Sequence, residues 1–343
     1  MRSTRTRDAA LVISMVALLA PAAAAVTLRV GDLIVTDQDT QAVLRIDPVS
    51  GVQTVISQGG GITAALGVIV ADDGSVYLID ASGSILRVDP EAFDAAHPGA
   101  NQQLVSQGGQ LTEPRNAAID ADGTLLVAVQ SGSKLVRVDP AAFNPLDTGA
   151  NQAVVGAGNL LVAPQDVAID LATGDAYVTS FSTARVVRVA PNGDQTLVAA
   201  GGLLPSPVGI VRETDGHLLV AGSFSSITRV DPSAFDASTP SSNQARVSSG
   251  GELFAVSDIA LEASGNIVAT TLLAPAQVVR VDPDAYDAAN PGGNQTVVSP
   301  AGSLLTSPLA IAVYAPEPAA ALLAAVAFAA LALASRLVSD SAH

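Results

Sequence analysis

PRNAAIDADGTLLVAV (residues 114–129), followed by KLVRVDP (residues 134–140), states a pattern that recurs along the whole chain. Ala117 to Asp120 is a short run of small apolar residues and reads as a strand. Asp122-Gly123 is a hairpin turn, where glycine tolerates positive φ. Thr124 to Val129 reads as a second strand, rich in Leu and Val. Leu135 to Asp139 is a third, and Pro140, which lacks an N–H, ends its ladder. Ala153 to Gly156 supplies a fourth, after which Gly and Pro punctuate the passage to the next copy.

The third-strand phrase fixes the count. It stands at Arg45-Ile-Asp-Pro48, Arg87-Val-Asp-Pro90, Arg137-Val-Asp-Pro140, Arg188-Val-Ala-Pro191, Arg229-Val-Asp-Pro232 and Arg280-Val-Asp-Pro283. The steps between arginines are 42, 50, 51, 41 and 51 residues. Strand-rich repeats of about 40–50 residues are propeller blades. The expected fold is all-β, a six-bladed β-propeller of four-stranded blades. The chain enters at Gly31-Asp32-Leu-Ile-Val, a second strand. The missing first strand is matched by Pro308-Leu-Ala-Ile-Ala-Val313. Blade 1 is therefore expected to be completed by both ends of the chain, which removes an exposed sheet edge.

Four copies carry an insertion between strands three and four. They run Ala92-Phe93-Asp94 to Asn101-Gln102, Ala142-Phe143-Asn144 to Asn151-Gln152, Ala234-Phe235-Asp236 to Asn243-Gln244 and Ala285-Tyr286-Asp287 to Asn294-Gln295. The aromatic residue is expected to pin each loop to its own blade. An arginine that recurs in every blade is read as structural, paired with an acid or a carbonyl, because catalysis needs a site once. Asp72-Asp73-Gly74 and Asp120-Ala-Asp122-Gly123 echo calcium-loop spelling but lack the remaining ligands and read as turns.

Composition narrows the function classes. The chain has 343 residues, a formal net charge of −16, no cysteine and no tryptophan. Cysteine zinc sites and disulfides are excluded. Residues 1–25 carry Arg2, Arg5, Arg7 and Asp8, so their removal leaves −18. Such a surface repels phosphate backbones, and no nucleic-acid partner is expected. Aromatics at 3% offer little for stacking on carbohydrate. His97, His217 and His343 have no serine-triad context.

The two ends read as address signals. Residues 1–25 form a signal peptide: a basic start, an apolar run from Ala9 to Ala20, and Ala23-Ala24-Ala25 before Val26, with cleavage between Ala25 and Val26. Ala319 to Ser335 is apolar and uncharged, at the lower limit for a bilayer span. With Pro316-Glu317-Pro318 before it and Arg336 after it, this tail resembles the PEP-CTERM sorting signal. That resemblance implies partnership with exosortase-type sorting machinery. It also implies removal of the tail and export to the envelope, surface or extracellular matrix of a Gram-negative bacterium, with the chain transiently or permanently anchored by a carboxyl-terminal helix. The domains are then 1–25 signal helix, 26–314 propeller and 315–343 sorting tail.

The blade phrase itself, for example Pro114 to Val127, resembles NHL-type and SMP-30 (gluconolactonase-like) propellers. Function is sought where the symmetry of the repeat breaks. The position opening each innermost strand holds Gly67, Asn116, Asp166, Gly209, Asp258 and Ala310. Asn116, Asp166 and Asp258 are expected to converge at one mouth of the central channel, where three oxygen-bearing side chains suit a hard cation such as Ca2+. The resemblance implies a divalent metal held by Asn, Asp and Glu. Asn116 and Asp166 match, but the glutamate is missing at Gly67 and Ala310. The leading expectation is a non-catalytic surface or matrix-associated scaffold for an extracellular ligand or matrix polymer. The alternative is a metal-dependent lactonase- or esterase-like hydrolase. A purely structural matrix component, its loops packed on neighbours, is a third. The inserted loops are expected on the face opposite the polar mouth.

Overall fold

The computed structural model describes residues 26–273, 275–300, 302 and 304–316. Among these, twenty-four strands form six four-stranded antiparallel sheets, each a simple meander. The ring has six blades. In blade 3 the strands are Pro114–Ile119, Leu125–Val129, Lys134–Val138 and Gln152–Ala157. Gly123, at φ +81°, turns the first hairpin. The expected signal helix, the carboxyl-terminal helix, the cleavage residue Ala25 and the sorting residues Glu317, Pro318 and Arg336 lie outside the described residues. Among the described residues no helix is long and apolar enough to cross a membrane.

Each inner strand packs against the inner strands of its two neighbours. These strands are Pro308–Val313 (blade 1), Ala65–Val70, Pro114–Ile119, Pro164–Asp170, Pro207–Arg212 and Val256–Leu261 (blades 2 to 6). The core lies between blades rather than within one. Ile79 and Ile85 of blade 2, for instance, pack with Leu125, Val127, Val129 and Val136 of blade 3. Second strands are buried on both faces, which is why Leu125–Val129 and Leu218–Gly222 have no polar side chain. Full burial of each such Val or Leu is worth about 1.5–3 kcal/mol.

Ring closure follows the expected register. Pro308–Val313 pairs antiparallel with Leu33–Asp37, with Leu33 opposite Val313 and Val35 opposite Ile311. Asp37, buried at the end of its strand, receives the backbone N–H groups of Thr306 and Ser307, both at 2.7 Å, and that of Thr40 at 3.1 Å. Burial pushes its carboxyl up. The N–H groups of Ser307, Thr306 and Thr40 outweigh that and leave its pKa below the ordinary value.

A meander puts the 1–2 and 3–4 connections at one end of each blade, here the hairpin face. The 2–3 loops and the leads into the inner strands form the opposite, lead-in face. The described ends both lie on the hairpin side. Gly31 N–H donates to Tyr314 O at 2.8 Å, and Thr27 Oγ1 donates to Glu91 at 2.8 Å.

The inserted loops are 3–4 connections and so leave from the hairpin face, opposite the lead-in side, but they do not stand up from it as a crown. They lie at the rim, over the fourth strand of the preceding blade, because strand twist turns outer strands away from the axis. Each begins with an Asp that caps a short turn, as Asp89 does by accepting Glu91 N–H at 3.0 Å. Each ends in an Asn-Gln pair that stitches two blades together. Asn101 Nδ2 donates to Ile56 O at 2.8 Å, and Ser57 Oγ donates to Asn101 Oδ1 at 3.0 Å. Gln102 Nε2 donates to Ser57 Oγ at 2.9 Å, and Gln102 Oε1 accepts Gly61 N–H at 2.8 Å. Asn151-Gln152 does the same on Ser106, and Asn294-Gln295 on Ser248. The glutamine persists where the insertion is absent: Gln53 reaches Ser299, and Gln195 accepts Leu160 N–H.

Blade 5 breaks the stitch. The serine position holds Ala199, and Asn243 Oδ1 and Gln244 Nε2 are left buried without a partner. An unmade buried hydrogen bond costs about 1–3 kcal/mol. Ala199→Ser is therefore expected to raise stability by about 1 kcal/mol, and Ser106→Ala to lower it by about 2 kcal/mol. Denaturant unfolding of both variants checks this, and an Ala199→Ser variant no more stable than the wild type would show that the orphaned pair costs nothing.

Candidate functional site

The recurring arginines are paired, as their recurrence suggests. Arg45 forks onto Asp32 at 2.5 and 2.7 Å, and Arg229 onto Glu213 at 2.7 Å through two nitrogens. Arg137 binds Asp120 at 2.8 Å, Arg188 binds Asp175 at 2.7 Å, and Arg280 binds Glu262 at 2.6 and 2.8 Å. Arg87 uses Ser75 and Asp73. They join the third strand to the first hairpin of the same blade, and nothing about them is unique to one blade.

The third residue of each inner strand faces the axis. Asn116 of blade 3 and Asp258 of blade 6 stand on opposite blades, yet Asn116 Nδ2 donates to Asp258 Oδ2 at 3.2 Å. That bond spans the channel. The polar residues therefore sit at its waist, not at a mouth as the sequence suggested. Two cavities flank them. One, of about 240 Å³, opens on the lead-in side and is ringed by Leu66, Arg115, Gln165, Val208, Ser257 and Leu309, the second residues of the six inner strands. The other, of about 370 Å³, opens on the hairpin side and is lined mainly by aliphatic side chains. Asn116, Asp166 and Asp258 border both.

Small neighbours make room for them. A Cβ at Gly67 would lie 2.5 Å from Asn116 Oδ1, and one at Gly209 would lie 2.9 Å from Asp258 Oδ1. Each carboxylate then holds backbone donors of two blades. Asp166 accepts Val167 N–H at 2.8 Å and, from blade 5, Ile210 N–H at 2.7 Å. Asp258 accepts Ile259 N–H at 2.8 Å and, from blade 1, Ile311 N–H at 3.1 Å. Both side chains are buried, 4% and 3% exposed, and neither forms an ion pair among the described residues. Burial, and then the charge of Asp258, push Asp166 well above the usual carboxylate range. Burial pushes Asp258 up to about 7, against the pull of its N–H donors and of Asn116.

Sequence reading missed a second asymmetry, on the lead-in face. The residue after the buried Ile or Leu of each lead-in is Thr306, Thr63 and Thr112 in blades 1 to 3, but Val162, Pro205 and Phe254 in blades 4 to 6. The 2–3 loops follow suit. They hold Gln38-Asp39, Ala81-Ser82 and Gln130-Ser131 in the first half, and Phe181, Phe224 and Leu272-Leu273 in the second. Phe224, Phe254 and Leu273 are 68%, 53% and 51% exposed. They lie beside Ser223, Ala255 and Leu272, which line the lead-in cavity. Charge divides the same way. Among the described residues the unburied acids of this face are Asp39, Glu113 and Glu252, offset by Arg115, Lys134 and Arg185. The hairpin side carries most of the remaining negative charge, including exposed Asp72, Glu91, Asp122, Asp215 and Asp284, and the rim loops add exposed Asp94, Asp147, Asp236 and Asp287.

No protein-family model matches the chain, and no curated protein matches it. Solved structures do resemble it in fold. A chain of a nidogen/laminin complex superposes with TM-score 0.63 at 14% identity, over 83% of this chain and 99% of that one. A protein of unknown function from Bacteroides caccae gives 0.59 at 14%, over 83% and 98%. A streptogramin B lyase gives 0.56 at 13%, over 82% and 83%. At such identity the likeness establishes the propeller architecture alone.

The waist carboxylates set a pH dependence. Both folded pKa values lie above the unfolded ones, so the protonated forms stabilise the fold at low pH, and the share of Asp258 is lost as pH rises from about 4 to about 7. The carboxylates held low, such as Asp37 and Asp80, have finished ionising below that window. Thermal stability is expected to fall as pH rises from about 4 to about 7, and the Asp258→Asn variant to lose part of that slope. Equal slopes in variant and wild type would mean that Asp258 ionises as it does in the unfolded chain.

Proposed function

We propose that this chain is an exported, non-catalytic binding scaffold that meets its partner with the lead-in face. The observation that carries the reading is the arc of exposed apolar side chains confined to blades 4 to 6 of that face, around the open cavity. Exposed apolar patches on a soluble ring mark contact surfaces. The described ends leave from the other side. If the carboxyl-terminal segment holds the protein to an envelope through an exosortase-type system, the apolar arc points outward. The inserted loops, by contrast, spend their Asn and Gln side chains on the preceding blade. A nidogen chain of the same architecture stands in a complex with laminin, which agrees with a binding role and does not identify a partner here.

The metal-dependent hydrolase is the second reading, because Asn116, Asp166 and Asp258 do converge. Three side chains fall short of the six to eight oxygens that Ca2+ takes, and four carboxylate oxygens already accept backbone N–H groups. Neither cavity presents a histidine.

Calorimetric titration of the full chain with Ca2+, beside Asp166→Asn/Asp258→Asn, separates the two. The scaffold reading expects no saturable binding that depends on these carboxylates. A one-to-one isotherm abolished in the variant would replace it with the hydrolase. Display is tested on intact cells of a host with an exosortase-type system, using an antibody to the exposed Ser131-Gly132 loop. Labelling is expected, and labelling only after lysis would overturn export.

A further inference from the structure

We infer that the hairpin-side cavity of the channel is a small-molecule site for a neutral aliphatic alcohol. Its chain would lie along the inner strands, and its hydroxyl would meet the Arg212–Asp170 pair at the rim. The site stands apart from the apolar arc of the lead-in face and goes beyond the binding role proposed there.

Repetition builds the walls. The cavity is lined by the fourth, fifth and sixth residues of all six inner strands. Arg212 is the only one of these that is not Ala, Val, Ile or Leu. Four of the fifth residues are alanines, Ala118, Ala168, Ala260 and Ala312, and the room they leave is part of a volume of about 370 Å³. Small-molecule sites run from about 300 to 1,000 Å³ and are mostly apolar, with a few polar groups that fix orientation. Asn116, Asp166 and Asp258 border the inner end. The four carboxylate oxygens already accept backbone N–H groups, and burial favours the neutral acids. This floor calls for no cation, so the polar anchor has to be sought at the rim.

The anchor stands where the six-fold pattern breaks. The sixth residue is Val313, Val70, Ile119, Ile169 or Leu261 in the other blades and Arg212 in blade 5. A guanidinium carries five N–H donors. Arg212 Nη2 donates to Asp170 Oδ2 at 2.9 Å, the one hydrogen bond this guanidinium makes among the described residues, and Nε is buried with no partner. Arg229 and Arg280, by contrast, each fork onto a carboxylate through two nitrogens. Arg212 therefore keeps donors to spare at the edge of an apolar cavity. Beside Asp170 stands Leu171, 52% exposed and lining the same cavity.

The rim selects among head groups. A hydroxyl accepts from the guanidinium and donates to the carboxylate, so it uses both halves of the pair without adding charge. A carboxylate head would face Asp170 and the exposed Asp122 and Asp215 of this side. An ammonium head would face Arg212, and the floor has no free carboxylate oxygen to offer it. A hydrocarbon would leave the spare donors of Arg212 unanswered.

The test is calorimetry on the full chain with octan-1-ol, octanoate and octylammonium as separate probes, with circular dichroism to confirm folding of every variant. Octan-1-ol is expected to bind one-to-one, at least tenfold more tightly than either ion. Arg212→Met, which keeps an aliphatic stem, is expected to weaken the alcohol fivefold or more. Ala118→Leu/Ala312→Leu, which fills the cavity, is expected to remove its binding, and Phe254→Thr on the lead-in face to leave it unchanged. No saturable binding of octan-1-ol would overturn the site, and so would binding that both cavity variants leave intact. Either ion binding as tightly as the alcohol would overturn the neutral ligand. Alcohol binding lost in Phe254→Thr alone would overturn the hairpin-side site and place the ligand on the lead-in face.

Discussion

Everything in this molecule hangs on one pairing between distant parts of the chain. Pro308–Val313 must leave the sixth blade and lie beside Leu33–Asp37, the first hairpin of the chain. Until it does, two sheet edges are open and the inner-strand ring is broken. Loop closure over almost the whole chain is entropically costly, and the fold meets it with a full antiparallel ladder and a buried carboxylate. Asp37 collects the N–H groups that lead into the closing strand, so the last turn of the ring is held by charge-assisted bonds rather than by packing alone.

Between that seam and the rest of the ring runs a lighter, repeated fastening. A glutamine at the start of each fourth strand takes hold of the preceding blade, and in four blades an inserted loop adds an asparagine to the same grip. The inserted loops are thus joinery. Their work is visible in the one place it is incomplete, where Ala199 replaces a serine and strands two polar atoms.

At the axis the ring keeps polar groups where an apolar plug would be simpler. Asn116, Asp166 and Asp258 bridge opposite blades and tie neighbouring ones, so they serve the ring's geometry. They also bury two carboxyl groups that have no ion-pair partner among the described residues. Burying charge without a partner is costly, and the raised pKa of Asp258 is the measure of that cost. The apolar arc beside them is a second departure from six-fold symmetry on the same side of the ring. Two departures meet at one opening, on the face away from the described ends, and the proposed binding role rests on that opening.

The sequence alone determined the architecture. The Arg-Val-Asp-Pro spacing set six blades, the hairpin at Asp122-Gly123 set the strand order, and the match of Pro308–Val313 to the missing first strand set the closure. These are local or periodic signals, written once per blade, and a repeat read six times is hard to misread. The convergence of Asn116, Asp166 and Asp258 was also legible, because one register position per blade had to face the axis. The same comparison across blades held the contrast of Thr63 and Thr112 with Phe254, but it acquires meaning only when lead-ins and 2–3 loops are known to share a face. Tertiary structure decided the rest. It moved the polar residues from a mouth to the waist, since a 3.2 Å bond between opposite blades depends on the ring's diameter, which no blade encodes. It turned the inserted loops onto the preceding blade, since strand twist accumulates across four strands and carries the outer ones sideways. Whether a side chain is display or joinery depends on what the neighbouring blade puts beside it, and that is a property of the closed ring.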